Sequence, residues 1–170
     1  VKPTLTEIEN LLLARLKDKL PAGVAIEAWP EKGLKHWIES GGAKRATTVL
    51  VHYAGSEFHE PETPIHSRIV QARIVTYRVF VVARSLRDPS AAARGAYALL
   101  DDTRYWLTGF DIGGPGRLRP AGEEVVELSD TLAIFAADFE GELLWIEPSE
   151  ETGPAFTQGN TIDAVGGQSV

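Results

Sequence analysis

The stretch from Ile65 to Ser85 constrains this chain more than any other, because it reads as one unusually long β-strand that has to be covered somewhere. Its second half, Val79-Phe80-Val81-Val82-Ala83, is apolar at every position, the pattern of a strand buried on both faces. Something must pack on each side of it. Arg68, Gln71, Arg73 and Arg78 interrupt the first half, which is therefore expected to be exposed, at a sheet edge or at a subunit contact, and to reach beyond the core. The apolar run is far shorter than the roughly 20 residues that a membrane-spanning helix needs.

The flanking segments supply the covering layers. Thr6-Glu7-Ile8-Glu9 has the capping-box pattern, and Ile8, Leu12, Leu16 and Leu20 recur four apart, which predicts a helix over 6–20. Pro21 and Gly23 stop it, and Val24, Ile26 and Ala28 alternate as a short strand. The segment 31–40 reads as irregular, anchored by Leu34, Trp37 and Ile38, because glycines at 33, 41 and 42 break the pattern. Thr47 to Tyr53 reads as a strand, and Ala54 to Pro64 as a polar loop. Asp88-Pro89 provides an N-cap and a first-turn proline for a second helix that Gly109 closes. Gly113 to Gly116 is a turn, and strands over 117–128 and 131–146 follow, joined tightly at Ser129-Asp130. Helices and strands are segregated and the strands are hairpin-linked, so the expected class is α+β, a mostly antiparallel sheet with two main helices. At 170 residues the chain has room for one hydrophobic core, placed at 1–146. After Glu147, prolines and glycines are scattered among few apolar residues, so 147–170 reads as an extended arm.

The absence of cysteine removes disulfides, thiolate metal sites and thiol catalysis, and a net charge of -7 argues against a surface built to neutralise phosphates. His52, His59 and His66 lie seven apart among Glu57, Glu60 and Glu62. They miss the zincin spacing, since Pro61 follows His59-Glu60 and Thr63 stands where a second histidine ligand belongs. No metal ligand and no cofactor site is assigned. The glycine-rich turn follows a helix and precedes a strand, the reverse of a phosphate loop. Asp101 and Asp102 point about 100° apart on their helix and do not converge, so Asp101 is expected to pair with Arg104. No serine lies in a Gly-x-Ser-x-Gly elbow, and the four tryptophans are expected in the core. No catalytic residue is assigned.

Val81 to Arg87, Gly95-Ala96-Tyr97-Ala98-Leu99-Leu100-Asp101 and Leu107-Thr108-Gly109-Phe110 resemble the Mu-like phage tail-terminator (minor tail) family. The amino-terminal helix, Pro21-Ala22-Gly23 and Tyr53-Ala54-Gly55-Ser56 do so too, so that the resemblance covers about the first 145 residues. It implies a structural virion protein, assembled in the host bacterial cytoplasm, that caps the head-proximal end of a tail tube as a hexameric ring. The implied partners are other copies of itself, the tail tube protein or sheath, and the neck and connector proteins, with DNA passing through unbound. Six copies would carry 6 × -7 = -42, and a like-charged lumen would let DNA slide.

The residues themselves point to assembly surfaces. Arg68, Arg73 and Arg78 are expected to meet the acidic loop of a neighbour, with Glu57 and Glu60, and so to set ring register. Phe156, Ile162 and Val165 are the anchors available to the arm, too few to offset the entropy of ordering it, so it is expected to dock on another chain. The alternatives are a small enzyme with a site around His52, His59 and Asp101, or a monomeric binding module.

Overall fold

The structure, a computed structural model, describes residues 3–42, 47–65, 68–84, 89–129 and 131–146. These form three helices and one six-stranded sheet, the expected α+β class. Helix α1 is Leu5–Lys19, and its capping box is built by Thr4 rather than Thr6. The Glu7 amide donates to Thr4 Oγ1 at 3.2 Å while the Glu7 carboxylate accepts from the Thr4 amide at 2.6 Å. These bonds to Thr4 hold the Glu7 carboxyl below its usual range. The rule was right and the register two residues off, because Thr4-Leu5-Thr6-Glu7 and Thr6-Glu7-Ile8-Glu9 both have the capping-box spacing and the sequence alone does not separate them.

Strand β1 (Ala25–Ala28) pairs in parallel with β2 (Thr47–Phe58). Between them lies α2 (Gly33–Glu39), a seven-residue helix where irregular chain was expected. It has no side-chain cap, which is why the local pattern conceals it; the burial of Trp37 holds it in place. Gly42 lets the chain pass flat over the Trp37 ring, since a Cβ there would lie 2.2 Å from Trp37 Cε2.

The expected loop 54–64 is mostly strand. β2 continues through a bulge after Tyr53 and pairs as far as Phe58 with Arg73, and β3 (Glu62–Ile65) pairs back on the same partner. That partner is β4, Arg68–Arg84, seventeen residues long. It offers backbone groups over its whole length, and these outweigh the polar composition of the segment beside it. Helix α3 is Pro89–Leu107 and ends at Gly109 with φ 77; its expected cap, Asp88, lies outside the described residues. β5 (Arg119–Leu128) and β6 (Leu132–Ile146) complete a sheet ordered β1-β2-β4-β6-β5, antiparallel except for β1–β2.

β4 is covered on both faces in its second half, as its composition requires. Val75, Tyr77, Val79, Val81 and Ala83 face α1 and α3 within the main core, with Ile8, Leu12, Leu16, Leu99 and Leu107. Phe80 and Val82 face a smaller cluster with Trp37, Leu50 and Ile134. Each fully buried aliphatic side chain contributes about 1.5–3 kcal/mol. Tyr77 is also buried and donates from its hydroxyl to the Leu5 carbonyl at 2.9 Å; burial pushes that phenol well above its usual range. Arg15 ties α1 to α3 by donating to the Trp106 carbonyl at 3.3 Å, with its guanidinium over the Trp106 and Phe110 rings. One tryptophan departs from expectation: Trp145 is 42% exposed.

Candidate assembly surface

Burial fades along the strands toward one end of the sheet. β2 is buried through Val51 and exposed by Glu57 and Phe58, and β6 is buried through Leu143 and exposed at its last three residues. Since β4 runs on between them, the sheet reaches past its helices. Phe58, Leu144, Trp145 and Ile146 stand there as exposed large apolar side chains. Arg73 lies among them. Its Nε donates to Ser56 Oγ at 2.9 Å, its Nη2 donates to the Tyr53 hydroxyl at 3.1 Å, and its guanidinium lies 5.3 Å from the centroid of the Phe58 ring. A groove of about 330 Å³ opens beside it, between the end of β6 and the turn 113–115, with Pro3 on its rim. Gly114 shapes that groove: a Cβ there would meet the Glu142 carbonyl oxygen at 2.1 Å, so the turn lies directly against β6.

A second exposed surface is the β5 edge. All ten residues of β5 are exposed, and Val125, Val126 and Leu128 are among them. Pro120 and two register shifts, after Pro120 and after Val125, make this edge irregular, a common protection against uncontrolled strand addition. Tyr97 and Leu100 of α3 lie beside Val125 and Phe135 in a shallow depression. Arg104 clips the edge to the helix by pairing with Asp101, as expected, and with Glu123 at 3.0 Å.

The other face of the sheet carries an ion-pair row. Arg78 donates from Nε and Nη2 to the two carboxylate oxygens of Asp138, each at 2.7 Å, and from Nη1 to Glu124 at 2.8 Å. The Asp138 hydrogen bonds raise the Arg78 pKa further. His52 is opposite Arg78 in the strand register, and its ring stacks on Trp29 at 4.7 Å. Burial lowers its pKa, and the Arg78 charge adds to that.

The expected interface residues divide accordingly. Arg73, Glu57 and Glu60 gather at the projecting end, and the backbone of Arg68 pairs there with Ile65. Arg78 is engaged with Asp138 and Glu124 of its own chain. Phe156, Ile162, Val165 and His66 lie outside the described residues. His52, His59 and Asp101 do not meet. His52 packs on Trp29 with the smaller cluster, Asp101 belongs to the helix on the opposite face, and His59 sits at the β2–β3 connection, its amide donating to the Ala72 carbonyl at 3.0 Å. Among the described residues no group of three or more His, Asp or Glu side chains is placed to hold a metal ion. Nor is any helix among them long and apolar enough to cross a membrane. Sequence reasoning missed Phe58, Leu144, Trp145, Ile146 and the β5 valines as surface residues. Only the strand order, and the point along it where burial ends, shows these side chains to be exposed.

Residues 12–161 match the model of a family described as Gp37 protein. The match begins inside α1 and runs beyond β6 into the carboxy-terminal segment. No curated protein matches the chain.

Proposed function

The chain belongs to the Gp37 protein family, a family of phage proteins, and from that premise we propose that it is a tail terminator, a virion protein that closes the head-proximal end of a tail tube. In this reading copies of the chain form a ring, with a hexamer as the expected number, and the ring joins the tube or sheath to the neck and connector proteins. DNA passes through the ring without being recognised. The protein works by assembly and not by catalysis.

The observation that carries the reading is a pair of exposed apolar clusters among the described residues. The β5 edge presents Val125, Val126 and Leu128, and the projecting end presents Phe58, Leu144, Trp145 and Ile146. Clustered apolar surface of this kind marks sites of protein association. Two different patches on one chain fit a head-to-tail contact, the geometry that closes into a ring. Glu57, Glu60 and Arg73 at the projecting end supply opposite charges that can set register between neighbours, and Arg68, expected there from its charge, joins them.

Electron microscopy of tails labelled with an antibody to the chain tests this role. Label at the head-proximal tip, and tubes of uncontrolled length when the gene is deleted, are the expected results. Label elsewhere, or normal tails from the deletion, would contradict it.

A further inference from the structure

We infer that Arg73 of one copy pairs with Glu127 of the next, so that the projecting end of each chain is keyed to the β5 edge of its neighbour; this rests on the reading that copies of the chain assemble. Arg73 is held ready for a carboxylate that its own chain does not supply. Its Nε and Nη2 donate to the neutral hydroxyls of Ser56 and Tyr53, and its guanidinium lies over the exposed Phe58 ring. Among the described residues no acceptor meets its Nη1 and no carboxylate pairs with it, whereas Arg78, Arg104 and Arg119 each hold an acid of their own chain. A half-buried guanidinium fixed in this way has already lost much of the rotamer freedom that an ion pair costs.

Glu127 is the matching acid. Of the glutamates on β5, Glu123 is taken by Arg104 and Glu124 by Arg78, and Glu127 has no cation among the described residues. It stands between the exposed Val126 and Leu128, as Arg73 stands beside the exposed Phe58, so each charge is set in apolar surface that would shut water out of a contact. The two cannot meet within one chain. Their register partners on β6, Leu143 for Arg73 and Ile134 for Glu127, are nine residues apart along that strand, about 30 Å at the rise of an extended chain. Each copy therefore offers the cation at one place and the acid at another, the arrangement that a head-to-tail contact uses. Glu57 and Glu60 stand at the same end as Arg73, so in such a contact they travel with it toward the neighbour and do not face it.

Sedimentation of the full-length protein over a dilution series tests the pair, with circular dichroism to verify that each variant keeps its strand content. Arg73→Gln and Glu127→Gln should each weaken self-association about tenfold, the loss of one charge-assisted contact, and the two together should do no more than either alone. Arg73→Glu and Glu127→Arg should each weaken it further, and both in one chain should restore it, because every neighbouring pair is then reversed. Should Arg73→Glu cost the fold, the glutamine variants still decide the matter. Losses that add, or a swapped chain that folds and does not recover, would overturn the pairing. Recovery of Arg73→Glu by Glu57→Arg in place of Glu127→Arg would overturn it in favour of a contact between like ends. Variants that sediment as the unaltered multi-chain particle does would overturn the pairing and leave the assembly reading standing. A single-chain mass for the unaltered protein at every concentration would remove both.

Discussion

Gly114 shows how far a single residue controls the projecting end. A methyl group there would press on the Glu142 carbonyl oxygen and on Leu143 Cδ2, at 2.1 and 2.9 Å, and the oxygen belongs to a strand that β4 holds in register. Gly114→Ala is therefore expected to lower stability by about 1–3 kcal/mol in urea denaturation. Gly23→Ala is the control: nothing lies within 4 Å of a Cβ there, and its effect should be close to zero. His52 makes a second expectation at this scale. Burial depresses its pKa below 6.5, so the folded state takes up its proton less readily than the unfolded chain. At pH 8 the residue is neutral in both states and contributes nothing. As pH falls below 6.5 the unfolded chain protonates first and stability declines, until His52 titrates in the folded state too. His52→Gln should flatten that acid-side decline in urea midpoints measured from pH 8 to pH 5; an unchanged slope would mean that the depression is not present in solution.

The secondary-structure elements differ in how legible they were, and the difference follows from what each element depends on. α1 and the buried half of β4 are written in their own side chains, four-residue spacing in one and an unbroken apolar run in the other. β3 and the outer part of β2 depend instead on backbone pairing with β4, to which their polar side chains contribute no signal. The position of β5 at the sheet edge is a fact of strand order, invisible in Val125-Val126-Glu127-Leu128 taken alone. The candidate surface was legible in the same degree: Arg73, Glu57 and Glu60 were found from charge, whereas Trp145 was expected in the core and Phe58 was placed in a polar loop. Cap register gives an element-level test of the corrected reading. Thr4→Ala should cost about 1 kcal/mol, whereas Thr6→Ala, at an exposed position inside the helix, should leave stability nearly unchanged. Equal effects from the two would mean that the capping box is shared or displaced.

At the scale of the whole molecule, the described residues pack a core on both faces of the sheet and carry exposed apolar clusters at the projecting end and on β5, in a chain with a net charge of -7. Charge of one sign keeps separate chains apart in solution and rewards contacts that pair opposite charges locally. The ion pairs already made within the chain, Arg78 with Asp138 and Arg104 with Glu123, stiffen the sheet and its edge rather than reach outward. Among the described residues this leaves the projecting end and the β5 valines as candidate surfaces for association. Assembly between copies is thus the claim on which the functional reading stands. Its most direct measurement is the mass of the purified full-length protein by native mass spectrometry, with negative-stain images of the same sample. The account predicts a discrete particle at a fixed multiple of the 18.5 kDa chain, six being the expected number, seen as a ring with an open centre. A mass of 18.5 kDa at every concentration, with no rings in the images, would contradict it.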